Sequence, residues 1–175
     1  MPRQPINIEK LCLQPHYSFH HKSAVLTSGD YLKKDFNSMT IGWGAIGTMW
    51  SLPFAFVAVR HSRYTYQFME KYDTFTVAFF PEQYHDALQI LGTRSGRDGD
   101  KIAASGLNPE TSTQILAPSF VEAELVLECR KMYANDLNPA NFIYESIEER
   151  YPDKDYHCIY YGDIVAVTGV KKYQA

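Results

Sequence analysis

Hydrophobic and polar residues alternate in short runs along most of this chain, and glycines and prolines separate the runs. A repeat of two marks half-buried strands, and a repeat near 3.6 marks helices. Residues 24–28 form the first strand-like run, ended by the turn pair Gly29-Asp30. A polar connector over 31–35 leads to a second strand, about 38–44. Residues 54–59, Phe-Ala-Phe-Val-Ala-Val, are apolar on both faces, which predicts a strand covered on both sides. Ser62 can cap a helix running from Arg63 to about Tyr72. Residues 75–80 form a fourth strand stopped by Pro81, and 83–91 a helix with Gly92 after its end. Asp100 can cap a short helix over 101–105, closed by Gly106. A connector over 107–118 contains two prolines.

Residues 120–132 show the clearest alternation. Glu122, Glu124, Glu128 and Arg130 fall on one face, and Val121, Ala123, Leu125, Leu127 and Cys129 on the other. This predicts a long antiparallel strand with one face in water. Further strands are expected at 141–148 and 156–170, the latter with a turn or bulge at Gly162-Asp163. About seven strands with two or three short helices, and no sustained strand–helix alternation, predict a mainly β domain: a small antiparallel barrel with helical insertions. The expected division is an irregular N-terminal arm over 1–23, rich in proline and histidine, and one domain over 24–175.

Composition narrows the function classes. A chain of 175 residues can bury its own core, and a formal net charge of −3 gives no electrostatic footprint for nucleic acid. No apolar run approaches a membrane span, and the first residues lack the apolar core of a signal peptide, so a cytoplasmic setting is expected. Cys12, Cys129 and Cys158 make no disulfide framework. Cys12, His16, His20 and His21 match no zinc spacing, so the arm is read as a surface segment. Aromatic residues reach 14%, which suits strands and planar ligands.

Candidate chemistry gathers in 37–65. Gly42-Trp-Gly-Ala-Ile-Gly47 matches a dinucleotide fingerprint literally, but Pro53 and a strand follow where that fingerprint needs a helix. The glycines fit a curved strand or a close backbone approach instead. Arg60-His-Ser-Arg-Tyr-Thr65 places two guanidinium groups and hydroxyls where a strand gives way to a helix. That is either a phosphate grip or a helix cap flanked by surface arginines. Trp43 and Trp50 suit core packing or a planar ring. Lys101 opens a helix, where a cation opposes the dipole, so it marks either function or a surface pair with Asp98 or Asp100. There is no nucleophile with a base beside it, and no catalytic side chain is assigned.

Taken in order, Asn37-Ser-Met-Thr40, Trp43, Ser51-Leu-Pro53, Val57-Ala-Val59, Arg60-His-Ser-Arg-Tyr-Thr65, Phe75-Thr-Val77, Ser95-Gly-Arg-Asp98 with Lys101, and Glu128-Cys129 resemble the flavin reductase-like, flavoredoxin-type family over about residues 24–148. The resemblance implies an FMN-binding split barrel, a homodimer with non-covalent FMN near the subunit interface, and electron transfer. The donor would be NADH, NADPH or a redox protein partner. It implies Asn37, Ser38, Met39, Thr40, Trp43 and Ser51 on the ring side and Arg60, Ser62, Arg63 and Thr65 at the phosphate. Lys101 would lie beside them, as a positive group near the ring. The alternatives are a barrel that holds another phosphorylated or planar ligand, such as pyridoxal phosphate or haem, or a dimeric interaction module.

Overall fold

The computed structural model describes residues 2–175. In chain order its strands are β1 (Gln4–Pro5), β2 (Ala24–Asp30), β3 (Asp35–Ile41), β4 (Gly44–Met49), β5 (Leu52–Arg60), β6 (Thr74–Phe79), β7 (Pro109–Glu110), β8 (Ser119–Phe120), β9 (Leu125–Asp136) and β10 (His157–Gly169). Its helices are α1 (Pro15–Tyr17), which continues as a wider turn over Ser18–Lys22, α2 (Tyr64–Lys71), α3 (His85–Thr93) and α4 (Lys101–Ser105).

One antiparallel sheet runs β3-β2-β6-β9-β10-β5-β4, with β1 added beside β10. Its two end strands, β3 and β4, are joined by Gly42 and Trp43 alone. Two residues span at most about 10 Å, so the sheet must curl until its ends meet. The result is a barrel split between β3 and β4. Phe19 sits in that split: it is buried, lies edge-on to Phe79 at 5.3 Å, and a Cβ on Gly44 would stand 2.5 Å from its ring.

Leu26, Met39, Val57, Phe75, Val77, Leu127 and Tyr160 fill the barrel. A second core packs Val25, Ala78 and Val126, from the outer face of the same strands, against Ala87, Leu88 and Leu91 of α3. β2 therefore has no exposed residue.

Several elements depart from the sequence reading. The first strand continues through Gly29-Asp30 to a turn over residues 31–34. Gly29 has φ +138°, and a Cβ there would lie 2.3 Å from the Asp35 carbonyl oxygen. The glycine-rich stretch is itself a strand, β4, hairpinned to β5. Phe54 and Phe56 of β5 are only partly covered, against the expectation of two buried faces. Gly92 lies inside α3. The strand expected at 141–148 is a pair of 3₁₀ turns, Pro139–Asn141 and Glu145–Arg150. Asp136 near the end of β9 already pairs with Cys158 near the start of β10, so that segment is the connection between two strands paired directly with each other. The arm is not irregular: β1, α1 and its continuation all pack on the barrel, and Cys12 N–H donates to the Tyr173 carbonyl. β10 keeps the expected irregularity, a register shift between Tyr161 and Gly162.

Candidate functional site

The segment after β5 turns sharply at residues 61–63 before α2 begins. Ser62 does not cap α2; Arg63 is the N-cap residue and makes no side-chain cap bond. Asp155 takes both donors of Ser62, accepting from its hydroxyl at 2.5 Å and its N–H at 3.3 Å. Thr65, the second residue of the helix, is buried, and its hydroxyl accepts from Asn37 Nδ2 at 2.7 Å. This bond ties the start of α2 to β3, the end strand of the sheet.

The loop after α3 wraps onto the same point. A Cβ on Gly96 would stand 2.6 Å from Asn37 Oδ1 and 2.7 Å from the Tyr64 ring, so only glycine lets this loop lie against both. Arg97 donates to the Ser62 carbonyl at 3.0 Å, with its guanidinium 5.1 Å from the Tyr64 ring centre. Two cations cover the C-terminal end of α3. Arg63 Nη2 donates to the Gly92 carbonyl at 2.7 Å, and Lys101 Nζ to the Leu91 and Arg94 carbonyls at 3.0 and 3.2 Å. That end of a helix favours positive charge. Lys101 is 4% exposed and pairs with neither Asp98 nor Asp100, against the surface-pair reading.

Arg60 completes the cluster. It stands opposite His157 in β10, donates to the Arg150 carbonyl at 3.0 Å, and holds its guanidinium 5.2 Å from the Tyr151 ring centre. Among the described residues, neither Arg60, Arg63 nor Lys101 has a carboxylate within ion-pairing distance. Electrostatics records the crowding. Burial, then Arg60, lowers Arg63; burial, then Arg63, brings Lys101 down to about 8. Charges arranged in this way favour an anion placed among them.

The ring-side residues divide. Thr40 donates its hydroxyl to the Leu88 carbonyl at 2.5 Å. Ser38 shares a hydrogen bond with Thr27 at 2.8 Å, and Met39 lies in the barrel core, so both side chains are already committed and leave only backbone to a ligand. Trp43 is 48% exposed, its indole 4.7 Å from the His157 ring. Ser51 stands apart. It shares the β4–β5 hairpin turn with Trp50, both left-handed at φ 62° and 51°, as a two-residue hairpin requires. Eight residues of β5 lie between it and Arg60, on the order of 30 Å along the strand.

Arg97 and Asp155 touch Ser62, and Tyr151 and His157 stand beside Arg60, although the sequence alone gives none of the four a role. Only Arg97, inside Ser95-Gly-Arg-Asp98, carried a local signal. His157 Nδ1 and the Tyr151 hydroxyl are 2.9 Å apart. Burial, then Arg60, pushes His157 from 6.5 down to about 4, against a smaller opposing pull from Asp155. The folded chain therefore binds fewer protons at His157 than the unfolded chain between those values. Stability should fall as pH drops through that window, by at most about 3 kcal/mol. His157→Gln should flatten the decline in urea titrations between pH 7 and 4, and an unaltered decline would exclude His157 as its source.

The family model described as the flavin reductase like domain matches residues 16–174. The chain belongs to the flavin reductase-like family. A search of the curated proteins finds no match. Among solved structures, flavoredoxin from Methanosarcina acetivorans is similar at TM-score 0.67 and 20% identity, over 97% of this chain and 74% of that one. An FMN-binding protein from Thermus thermophilus is similar at 0.68 and 20%, over 93% and 83%. An NADH:FAD oxidoreductase from Streptomyces globisporus gives 0.65 and 17%, over 85% and 75%. At these identities the likeness fixes the fold, the split barrel of this flavin reductase-like protein. No helix among the described residues is long and apolar enough to cross a membrane. A flavin is the cofactor that membership brings, and the residues present fit its phosphate: three cations lacking carboxylate partners, beside the close approach of Gly96 to Asn37.

Proposed function

We propose that this protein binds FMN non-covalently and works in electron transfer, either as a flavoredoxin-like carrier or as an NAD(P)H:flavin oxidoreductase. The carrying observation is the Arg60, Arg63 and Lys101 cluster, a high positive density without carboxylate partners at the start of α2 and the end of α3. Arg60, Arg63 and Lys101 would hold the phosphate, with Ser62 and Thr65 shaping the turn around it. Lys101 is grouped with Arg63 and not with Trp43, which supports a phosphate role over the ring role implied by the resemblance. Asn37 and Thr40, with the backbone of Ser38 and Met39 between them, would line the ring along β3, and Trp43 would close its far end. Bound there, the isoalloxazine ring would supply the redox chemistry. NADH, NADPH or a redox protein would supply the electrons. A cytoplasmic setting belongs to this reading, in keeping with three unpaired cysteines.

The test is the visible spectrum of the purified protein and the mass of any released chromophore, followed by anaerobic addition of NADH and NADPH. A yellow protein releasing FMN supports the reading. A protein that stays colourless after incubation with FMN overturns it.

The reading includes a homodimer. Tyr161 stands among Phe54, Phe56 and Tyr133 with ring centres 5.5, 5.8 and 5.9 Å away, and Trp50 extends the stripe from Tyr133 at 6.3 Å. Trp50 is 61% exposed. Such a contiguous aromatic surface suits a partner surface. Pairing two copies there would offer the Ser51 hairpin to the other protomer's site. Tyr161→Asp should convert a dimer to a monomer in sedimentation analysis; a wild-type chain already monomeric at high concentration would refute the pairing.

A further inference from the structure

A cavity of about 540 Å³ lies between the helical arm and α3, outside the cationic cluster. Pockets of this size take small organic molecules. One wall is the arm, with Tyr17, His21 and Lys22; the other carries Phe80, His85 and Leu88. The arm is firmly seated, because Phe19 fills the split in the barrel beside it. The opposite wall is bonded to β3, since the Leu88 carbonyl receives the Thr40 hydroxyl. The cavity thus stands next to the strand proposed to line the flavin ring.

Its walls are chemically polarised. Lys22 Nζ has its nearest carboxylate, Glu124 Oε1, at 3.9 Å. That carboxylate is already engaged: it accepts from the Tyr173 hydroxyl, and from Lys172 Nζ at 2.6 Å. Lys172 matches the Glu124 charge, so the Lys22 ammonium is available to an anion. His21, adjacent on the same wall and 5.2 Å from the Tyr17 ring centre, adds an imidazole able to donate a hydrogen bond. Across the cavity Glu82 contributes negative charge, which favours one acid group at the arm and disfavours a second opposite it. Tyr17, Phe80 and Leu88 supply the apolar part, and flat faces suit a flat ring.

We propose that this cavity binds a small planar aromatic monocarboxylate, with its acid group toward Lys22 and His21 and its ring toward Tyr17, Phe80 and Leu88. As the substrate end of a flavin site the proposal rests on the flavin reading; as a binding cavity it stands without it. The experiment is calorimetric titration of the full chain with benzoate, benzamide and terephthalate, repeated on Lys22→Gln and on His85→Trp, which fills the cavity from α3. Benzoate is expected to bind about tenfold more tightly than benzamide or terephthalate, a difference of about 1.4 kcal/mol. Lys22→Gln should remove the preference over benzamide and leave benzamide unchanged, and His85→Trp should abolish binding of all three. Failure of benzoate to saturate the wild-type chain at about 10 mM overturns the proposal. So does benzoate binding unaltered in both variants. Neither outcome depends on flavin, whose binding is read separately from the visible spectrum.

Discussion

Arg63→Met is expected to weaken FMN binding about a hundredfold, which is about 2.7 kcal/mol, while riboflavin, lacking the phosphate, weakens less than about threefold. Charge-assisted bonds to phosphate are the strong class of hydrogen bond, and a hundredfold lies within the range for one lost guanidinium. The comparison of two flavins matters because Arg63 also holds the Gly92 carbonyl at the end of α3. Fraying of that helix end would weaken both ligands alike, whereas loss of a phosphate contact weakens FMN alone. Lys101→Met should act in the same direction and should also remove a pH dependence. Lys101 gives up its proton near pH 8, so FMN affinity in the wild-type protein should fall as pH rises through about 8, by up to about tenfold per unit for one linked proton. Below that value the ammonium is present and affinity should be flat on its account. Fluorescence-quenching titrations from pH 7 to 10 measure both effects. Equal losses for FMN and riboflavin, or a pH slope that survives in Lys101→Met, would show that these cations serve the loop and not the ligand.

How legible the site was depended on distance along the chain. Arg60, Arg63 and Thr65 could be grouped beforehand because they fall within one run of six residues. Lys101 could be flagged because a cation at a helix start is locally out of place. What it touches, the end of the preceding helix, depends on the turn of loop 94–100, which no periodicity encodes. Asn37 meets Thr65 only because β3 lies at the sheet end against α2. His157 meets Arg60 only through the register of β10 on β5. The fold was similarly uneven. β2, β6 and β10 announce themselves by apolar runs. β4 does not, because Gly44 and Gly47 lower its strand propensity and its place is secured by the hairpin with β5. The 141–148 segment has apolar residues at strand-like spacing, yet Ile143 is 92% exposed. Phe142 is taken instead by a stack on Tyr151, with ring centres 6.0 Å apart.

The acidic face of β9 misleads in the most instructive way. Alternation there implies carboxylates in water, but Glu128 is 2% exposed. Its Oε1 accepts from the Thr113 N–H at 2.8 Å and the Thr113 hydroxyl at 2.9 Å, and its Oε2 from the Gln114 N–H at 2.7 Å. Residues 111–118 therefore form a strap across β6 and β9, held as well by the Thr76 hydroxyl on the Pro118 carbonyl at 2.7 Å. The carboxylate does for this strap what a capping residue does for a helix end. Glu128→Ala would leave three donors behind, two of them backbone, with no acceptor. Hydrogen bonds to a charged group are worth about 1.5–3 kcal/mol, and Thr113 and Gln114 lie on the exposed side of the strap, where water can take up part of the loss, so the expected loss is about 2–3 kcal/mol. Glu128→Gln keeps one carbonyl oxygen and should lose about half as much. The usual tolerance for replacing buried charges with apolar groups does not rescue the alanine variant, because that tolerance requires both partners to be replaced and here the donors are main chain. Urea unfolding of the three proteins measures the ranking. A wild-type-like midpoint for Glu128→Ala would mean that the strap finds water in place of the carboxylate and that Thr76 alone keeps it on the barrel.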